Sequence, residues 1–351
     1  MPYIEYAGNM HAHTLYSDGT WSHRGLAEAA AQAGLNYLIV TDHNVWVSGV
    51  EGFYGAPFPN GLLLLAGEEV HDCRRSTQAN HMLVYGAERE LATEAGSPQR
   101  LLDLAREAGA LAFLAHPVEF AGRAAGEGTF PWVDWDISGY TGIEIWNYMS
   151  EFKARLPTLL HAVYYAYFPL GAIRGPFRQT LQLWDRLLAS GQRVVGIGGA
   201  DAHGTTYSLG PLRRVIFPYT YLFKAVNTHI LAPQRFSGDL ASDKALVLEA
   251  LRAGRCWVGC DLLGSTRGFS FSARSSAASA ILGEELRRHG AVTFQVQTPL
   301  AGDIRLVMGG RVVAHATATQ LQFTTAEAGP YRVEVYRHGK GWIFSNPIYV
   351  S

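Results

Sequence analysis

The stretch NMHAHTLYSDGTWS, residues 9–22, follows an apolar run and carries His11 and His13 one residue apart, with Asp18 shortly after them. Side chains of a β-strand alternate between its two faces, so His11 and His13 point to the same side. Two imidazoles and a carboxylate just past a strand end predict a polar site at that end of the strand.

Residues of the same kind lie at the ends of the other strand-like runs up to residue 262. They are Asp42 and His43 after NYLIVT, Glu69 in GLLLLAGEEV, His81 before MLVYG, His116 after ALAFLA, and Asp201 and His203 in GIGGADAHG. Gathered at one cavity, these groups would repel one another or stay unpaired unless a cation held them. Zinc, manganese and iron accept mixed nitrogen and oxygen ligands, and the lack of cysteine in the set argues against a closed structural zinc site. The pattern predicts bound divalent metal ions.

The first part of the chain alternates apolar strand-like runs with helical patterns. Ser22 is the predicted N-cap of HRGLAEAAAQAG, Ser97 and Pro98 begin a second helix that stops at Gly109, and residues 242–254 form a third. Apolar strands separated by amphipathic helices indicate a parallel sheet covered by helices, and over ~250 residues this favours an α/β barrel with its site at the carboxyl ends of the strands.

After GSTRGFSFSARSSAASA the sequence pattern changes from strands and helices to strands alone, in which apolar and polar residues alternate. Turn residues separate these strands, and Gly309-Gly310 is predicted to form a hairpin turn. We therefore predict a first domain over residues 1–262, which carries the metal site, and a small all-β sandwich over residues 263–351. The sandwich contains His289, His315 and His338, each isolated, and we interpret them as surface or structural residues.

Composition narrows the classes of partner. The 351 residues are 48% hydrophobic, and 29 basic residues balance 30 acidic ones. This balance does not favour nucleic acid or an anionic membrane as partner, so we expect a small-molecule substrate. The three cysteines are scattered along the chain at Cys73, Cys256 and Cys260, which does not suggest a disulfide framework. The sequence also has no run of ~18 apolar residues and no recognisable leader. Together these features favour a cytoplasmic location. The oligomeric state stays open.

Other histidines lie outside the strand-end pattern. His23, His161 and His229 are interpreted as structural, whereas His71 follows the GEEV run closely enough to lie at the rim of the site.

The sequence contains, in this order, the motifs HAHTLYSDG, VTDHN, GEEV, NHMLVYG, AHP, GIEIWN and GADAHG. The same order is found in the PHP (polymerase and histidinol phosphatase) superfamily, which the chain resembles. The resemblance implies a distorted (β/α)₇ TIM-like barrel with two or three divalent metal ions at its C-terminal mouth. The implied ligand sets are His11, His13, Glu69 and Asp201; Glu69, His81 and His116; and Asp18, His43 and His203. Glu68 occupies a slot that is usually apolar, so either acid of GEEV could be the bridging ligand. The resemblance also implies that Asp42 orients a histidine.

A narrower resemblance, to the CehA/McbA-type metallohydrolases, extends over EIWNYMSEFKARLPTLL, LGAIRGPFRQTLQLWDRLLASGQRVVGIGGADAHG and GWIFSNPIYV. That branch carries an appended β-sandwich and includes carbaryl (carbamate ester) hydrolases. Its members do not share one known substrate, so the substrate of this chain is not implied.

The predicted chemistry is hydrolysis by a hydroxide that bridges two metal ions, with Asp42, Asp201 and His203 as catalytic residues. The same metal centre can attack phosphorus or a carbonyl carbon. A small phosphate ester is favoured by the superfamily and by Arg174, Arg178 and Lys224. An apolar or aromatic carboxyl ester or carbamate is favoured by the loop aromatics, and a non-catalytic metal- or sugar-binding module is a third alternative. The aromatic candidates are Trp46, Phe53, Tyr54, Phe58, Trp132, Trp135 and Trp146, and Asn147 could donate to a substrate oxygen.

Overall fold

The protein is described by a computed structural model that covers residues 3–56, 58–126, 128–209 and 212–351. The strands are β1 (Ile4–Asn9), β2 (Tyr37–Val40), β3 (Gly52–Tyr54), β4 (Leu62–Val70), β5 (Met82–Tyr85), β6 (Leu111–Leu114), β7 (Gly142–Asn147), β8 (Val195–Gly199), β9 (Thr206–Leu209), β10 (Leu212–Val215), β11 (Val226–Ala232), β12 (Cys256–Cys260), β13 (Ser270–Arg274), β14 (Ser279–Ile281), β15 (Glu285–Leu286), β16 (Val292–Met308), β17 (Arg311–Thr325), β18 (Gly329–Arg337), β19 (Lys340–Ser345) and β20 (Ile348–Val350). The α-helices are α1 (His23–Gln32), α2 (Pro98–Glu107), α3 (Tyr148–Lys153), α4 (Leu159–Tyr167), α5 (Arg178–Ala189), α6 (Tyr219–Leu222) and α7 (Leu240–Arg252). Short 3₁₀ turns lie at Ala92–Glu94, Arg123–Ala125, Pro169–Gly171 and Asp261–Leu263. The fold is mixed α/β, as predicted.

The strands that carry the site pair mostly in parallel. β1, β2 and β4 are parallel neighbours, and so are β6, β7 and β8. β5 runs antiparallel to both β4 and β6, which differs from the predicted parallel order. A parallel bridge between Ala12 and Ala202 links the segment after β1 to the segment after β8. The segment after the last of these strands, β8, therefore pairs with the segment after the first, β1.

Alternate residues of these strands enter different apolar clusters. Tyr37 and Ile39 of β2 lie in one cluster, whereas Leu38 and Val40 lie in another that includes the helices. Burial on both faces explains why these strands read as continuous apolar runs rather than alternating ones.

Local signals place the covering helices. The side chain of Ser22 accepts a hydrogen bond from the Gly25 amide, which confirms the predicted N-cap of α1. Pro98 is the first residue of α2 as predicted, although Ser97 makes no side-chain cap. α7 begins slightly earlier than predicted, because Asp239 caps it by accepting from the Ser242 amide. No helix in the described part of the chain is long and apolar enough to cross a membrane.

The C-terminal region is built from the predicted strands. β16 and β17 form a long hairpin whose turn is Gly309-Gly310, with both glycines at positive φ, so that turn is confirmed. The cluster of buried residues formed by these strands also includes Trp257 of β12. β19 pairs with β12, and β12 pairs through β11 to β1. Hydrogen-bonded strands therefore run from the first region into the second, and the boundary at residues 262 and 263 stays a prediction.

Candidate metal centre

The strand-end side chains meet at one edge of the sheet. His11 and His13 follow β1, His43 follows β2, and Asp201 and His203 follow β8. Because these strands are parallel neighbours or are joined by the Ala12–Ala202 bridge, their carboxyl ends lie side by side.

The antiparallel strand contributes to the same edge. β5 runs opposite to β4 and β6, so the residue that precedes it, His81, lies where those strands end. His116 follows β6 and has φ +26°, a conformation that non-glycine residues rarely adopt. The reversed strand therefore explains how a histidine before a strand joins histidines that follow strands.

Glu69 lies at the centre of the histidines. Its Oε1 is 2.8 Å from His81 Nδ1 and 3.2 Å from His116 Nε2, and its Oε2 is 3.1 Å from His11 Nε2. Burial by itself would raise the pKa of Glu69, but its contacts with neighbouring histidines, above all His11, hold that pKa well below its ordinary value. Glu69 is therefore a carboxylate shared by several imidazoles.

The neighbouring acid, Glu68, faces the other side of β4. It accepts a hydrogen bond from the Leu91 amide at 2.9 Å, and burial raises its pKa to about 7. Adjacent strand residues point to opposite faces, so only one of the two acids can join the histidines. That acid is Glu69.

Asp201 is the second carboxylate that contacts several histidines of the centre. Its Oδ1 lies 3.1 Å from His13 Nε2 and 3.3 Å from His11 Nε2, and its Oδ2 accepts a hydrogen bond from Asn147 Nδ2 at 3.2 Å. Burial works to raise the pKa of Asp201, but His11 and His203 lower it well below the ordinary value. Asp201 has φ +55°. The backbone thus adopts an uncommon conformation at this residue as well as at His116.

An outer group surrounds Asp18. Asp18 lies 3.2 Å from His203 Nε2, 3.7 Å from His43 Nε2 and 3.8 Å from His13 Nδ1, and its side chain is 57% exposed. Burial lowers the pKa of His203, but Asp201 and Asp18 outweigh it and raise that pKa to about 9. Burial and the neighbouring histidines His13 and His81 lower the pKa of His43 to about 3, which keeps its imidazole neutral. A neutral imidazole is the form that binds metal ions.

Within the described residues, four groups bring their ligand atoms within 4.8 Å of one another. They are His13, Asp18, His43 and His203; His43, His71 and His81; His11, His13, Glu69 and Asp201; and Glu69, His81 and His116. Two of these groups have the same members as ligand sets implied by the resemblance, and a third adds His13 to the remaining set. His71, interpreted as a rim residue, stacks on His81 with ring centroids 4.3 Å apart.

Unpartnered nitrogens provide a test of whether these residues fit metal ions. Five buried histidine ring nitrogens have no hydrogen-bond partner among the described residues: His13 Nδ1, His43 Nδ1, His71 Nδ1, His81 Nε2 and His116 Nδ1. Buried polar atoms without partners are rare because each is costly, so several in one cluster call for a bound group. Nitrogen donors beside two carboxylates suit zinc, manganese or iron. The donor set fits the predicted cofactors, although it does not identify the metal or the number of ions.

Glu144 was missed by the sequence analysis. It lies on β7, where its Oε1 is 3.0 Å from His11 Nδ1 and its Oε2 accepts from the His116 amide and from Asn147 Nδ2, each at 3.0 Å. A carboxylate on one ring nitrogen orients the other nitrogen of a metal-binding histidine. The signal was available, since Glu144 is a charged residue inside the apolar run GIEIWN.

Asp42 does not lie with the predicted catalytic residues Asp201 and His203. It accepts hydrogen bonds from the Thr14 amide (2.7 Å), the Thr14 hydroxyl (2.6 Å) and the Ser17 hydroxyl (2.7 Å). The strand alternation that turns His43 toward the cluster turns Asp42 away from it. Its role is to hold the turn that leads to Asp18, and the histidine nearest to it is His23, 3.7 Å away.

A cavity of about 450 Å³ opens over the cluster. Besides the cluster it is lined by residues that include Glu119, Phe130, Met149, Lys153 and Tyr207. Lys153 is buried and lies 2.8 Å from Glu119 Oε1. Lys153 was not among the cations predicted at the mouth, because nothing in NYMSEFK marks it as facing the cavity.

The predicted arginines lie elsewhere. The Arg174 guanidinium donates to the carbonyl oxygens of Gly171 and Ile173, at 2.7 and 2.8 Å, and Arg178 is an exposed residue at the start of α5. Neither they nor Lys224 line the cavity.

The predicted tryptophans also lie outside the cavity lining. Trp146 is fully buried, donates to Glu151 Oε2 at 2.8 Å and packs edge-on against Phe344. Trp46 is half-buried and does not line the cavity either. Asn147, the remaining predicted substrate residue, donates to Asp201 and Glu144 and caps α3. Its position suits orienting Asp201 rather than binding substrate.

No protein-family model and no curated protein matches the chain. Among solved structures, it is similar to a two-domain protein from Bacteroides vulgatus that contains a predicted PHP-like metal-dependent phosphoesterase, with 15% identity, a TM-score of 0.42, and coverage of 99% of this chain and 96% of that one. It is also similar to a protein from Bifidobacterium adolescentis described as a candidate metal-dependent phosphoesterase, with 16% identity, a TM-score of 0.34, and coverage of 58% of this chain and 90% of that one. At these scores the chemistry of this chain has to be inferred from its own side chains.

Proposed function

We propose that this protein is a metal-dependent hydrolase of ester bonds, with a small phosphate ester as its first candidate substrate. The observation that carries the proposal is the position of Glu69 between two groups of histidines, several of which have unpartnered ring nitrogens. Buried imidazoles and carboxylates in this number are tolerated when divalent cations bind them. Two or three ions of zinc, manganese or iron would be held by the groups described above.

The proposal extends to the family and the fold. The ordered motifs resemble the PHP superfamily, and its distorted (β/α)₇ barrel is supported by the pairing order that returns from β8 to β1. The CehA/McbA-type branch, with its C-terminal sandwich, is supported by the later motifs and by the strands from β13 to β20.

The side chains divide the work around the metal ions. When bound, the cations supply an activated water and polarise the ester. Glu144 fixes the ring of His11, Asn147 fixes Asp201, and Asp42 fixes the turn that carries Asp18. Lys153 provides a positive charge in the cavity wall, suited to an oxygen of a phosphate ester.

A carboxyl ester or carbamate is the second candidate. It is favoured by Phe130 and Met149, which give part of the cavity wall an apolar character. The metal centre itself does not distinguish the two reactions, because both place a developing negative charge on an oxygen near the cations.

The experiment compares p-nitrophenyl phosphate, bis-p-nitrophenyl phosphate, p-nitrophenyl acetate and an aryl carbamate on metal-depleted protein reloaded with manganese or zinc. We expect metal-dependent turnover of a phosphate ester. Inertness to every phosphate with turnover of the acetate or carbamate would replace the first candidate by the second. Bound metal without turnover of any ester would favour a binding module instead.

Asp201→Ala provides the matched test of the metal centre. We expect loss of both bound metal and turnover, because Asp201 lies beside His11 and His13. The control is Asp303→Ala, which removes an acid on β16 in the C-terminal region. Full turnover by Asp201→Ala would contradict the proposed function.

A further inference from the structure

A second, apolar pocket of about 370 Å³ adjoins the metal cavity. Its walls include Phe152 of α3, Leu159, Ala162 and Val163 of α4, and Ile216 after β10. An engineered apolar cavity of about 150 Å³ already holds benzene, so this pocket has room for an aromatic ring with substituents or for a branched alkyl group.

The two spaces share walls. Met149, Lys153 and Tyr207 line both the apolar pocket and the cavity over the metal centre. A molecule with its polar end at the metal centre would therefore meet this pocket with its other end. The pocket is not an isolated packing defect of the core.

Lys153 lies at the junction and is held there from several sides. Its Nζ is 2.8 Å from Glu119 Oε1 and 4.7 Å from the centre of the Phe130 ring. Glu119 is fixed in turn, because it accepts from Ser150 Oγ at 2.7 Å and from the Phe130 amide at 2.6 Å. An ammonium group has three donors, and Glu119 can take one of them. The remaining donors suit an anionic oxygen of a ligand.

The pocket walls carry apolar surface that solvent can reach. Leu159 and Val163 are 53% and 41% exposed. In the same wall, Arg214 Cζ lies 4.5 Å from the centre of the Tyr167 ring. Removal of this apolar surface from water favours binding, so an apolar ligand group gains affinity here.

We propose that the substrate is an ester with an apolar group of about the size of a substituted ring, which binds in the α4 pocket while an anionic oxygen of the ester contacts Lys153. This inference rests on the proposed function and names its substrate class. Lys153 is then a substrate-binding residue. Because it lies in the wall shared by the two spaces, it directs the apolar group of the ester into the α4 pocket and the ester bond toward the metal centre.

The test uses two non-hydrolysable probes, phenylphosphonate and methylphosphonate, which share a head group and differ in the apolar part. Their affinities for the manganese-loaded protein are measured by calorimetry. We expect phenylphosphonate to bind about tenfold more tightly or better, from burial of the ring. A ratio below about twofold, or no detectable binding of either probe, would overturn the proposal.

Two substitutions on α4 test whether the α4 pocket causes the preference for phenylphosphonate over methylphosphonate. Val163→Asp places a charge in the pocket wall, and we expect it to abolish the preference for phenylphosphonate. Leu160→Asp places the same charge on α4 at a residue that is 82% exposed and does not line the pocket, and we expect the wild-type ratio. Equal ratios in the two variants would contradict the assignment of the pocket.

Lys153 is tested separately. Lys153→Met should weaken both phosphonates by a similar factor while keeping their ratio, and Lys153→Arg should restore most of the affinity. Because Lys153→Met leaves Glu119 buried without its partner, the double variant Lys153→Met, Glu119→Gln provides a second measurement. Wild-type affinity in that folded double variant would exclude Lys153 as a ligand contact.

The result that would overturn the proposed function differs from the result that would overturn the pocket. Absence of ester hydrolysis with an intact phenyl preference would remove the hydrolase assignment and keep the pocket. Metal-dependent hydrolysis with equal affinity for both probes would keep the hydrolase and remove the pocket.

Discussion

At the scale of single residues, the two adjacent acids of β4 provide a sharp test of the site. Glu69 contacts His11, His81 and His116, whereas Glu68 accepts from the Leu91 amide on the other face. We expect Glu69→Gln to lower the bound metal by at least one ion per chain, because an amide is a far weaker metal ligand than a carboxylate.

Glu68→Gln is the matched control, since it makes the same chemical change one residue away. It should keep the metal content of the wild type. The measurement is elemental analysis of both purified variants, and equal losses from the two would show that Glu69 has no special place in the centre.

His229 leads to a prediction about pH. Its Nδ1 is 2.7 Å from Glu5 Oε1, and its Nε2 is 3.7 Å from Asp261 Oδ2 and within hydrogen-bonding distance of Thr266. Burial lowers the pKa of His229, but the nearby carboxylates of Asp261 and Glu5 outweigh burial, and the pKa is raised.

A histidine whose pKa is raised by folding stabilises the protein fully below its unfolded pKa of about 6.5, and that contribution is lost as pH rises through the folded pKa. The loss of unfolding free energy caused by His229→Gln should therefore be larger at about pH 6 than at about pH 9. Urea unfolding at both pH values measures this. His161→Gln, on exposed α4, is the control, and a loss that grows with pH would refute the assignment.

Single residues also show where sequence reasoning succeeds and stops. His11, His13 and Glu69 could be identified because strand alternation and position at a strand end are written in the sequence. Lys153 could not, because it lies in a helix after β7 and meets the cavity only through tertiary packing. Arg174 was chosen by charge alone, and the structure directs that charge to backbone carbonyl oxygens.

At the scale of elements, the turn after β1 depends on Asp42. This buried carboxylate accepts three hydrogen bonds from Thr14 and Ser17. Hydrogen bonds to a charged group contribute about 1.5–3 kcal/mol each, and not additively, so we expect Asp42→Ala to lower the unfolding free energy by roughly 3 kcal/mol. It should also weaken metal binding at Asp18, which the turn carries.

Ser17→Ala removes one of those bonds and should cost about 1.5 kcal/mol. Urea unfolding and metal titration of both variants distinguish the two effects. A larger loss in Ser17→Ala than in Asp42→Ala would mean that the turn is held by something other than the carboxylate.

The direction of β5 shows why element order was only partly predictable. Apolar runs indicated the strands correctly, but parallel and antiparallel neighbours carry the same apolar pattern when both faces are buried. The short connection between β4 and β5, residues 71–81, has no helix and so favours an antiparallel neighbour in hindsight. α4 was not assigned from the sequence, although it forms one wall of the apolar pocket.

At the scale of the whole molecule, a buried arginine connects the two regions. Arg332 of β18 donates to Asp185 of α5 at 2.8 Å and to Glu334 at 2.7 Å. Removing one member of a buried ion pair costs about 3–5 kcal/mol because the partner keeps an uncompensated charge. We expect Arg332→Met to lower the unfolding free energy by that amount.

The control is Arg24→Met, which breaks an ion pair with Glu28 whose arginine is 80% exposed. Exposed pairs contribute about 0.2–1 kcal/mol, so this variant should stay close to wild type in the same urea titration. Similar losses in the two variants would show that Arg332 does not join the regions as described.

The mixed α/β class followed from patterns that are local in sequence, whereas the contact between the regions did not. The sequence marks a change of texture near residue 262 but cannot show that β19 pairs with β12. Pairing between distant strands depends on partners that no local period encodes.

Asn346 bears on how this chain could be shortened or recombined. Its side chain donates to the carbonyl oxygens of Gly196 (2.8 Å) and Cys256 (2.9 Å), and it accepts from the Gly196 amide at 2.8 Å. Gly196 belongs to β8, the strand that leads to Asp201. A fragment that stopped at residue 262 would therefore leave backbone groups of Gly196 and Cys256 without their hydrogen-bond partner, in strands next to the candidate metal centre. Exchange of the last ninety or so residues for an unrelated module would need another side chain to take the place of Asn346. Any shortened or recombined form of this protein has to keep the contacts that the C-terminal region makes with β8 and β12.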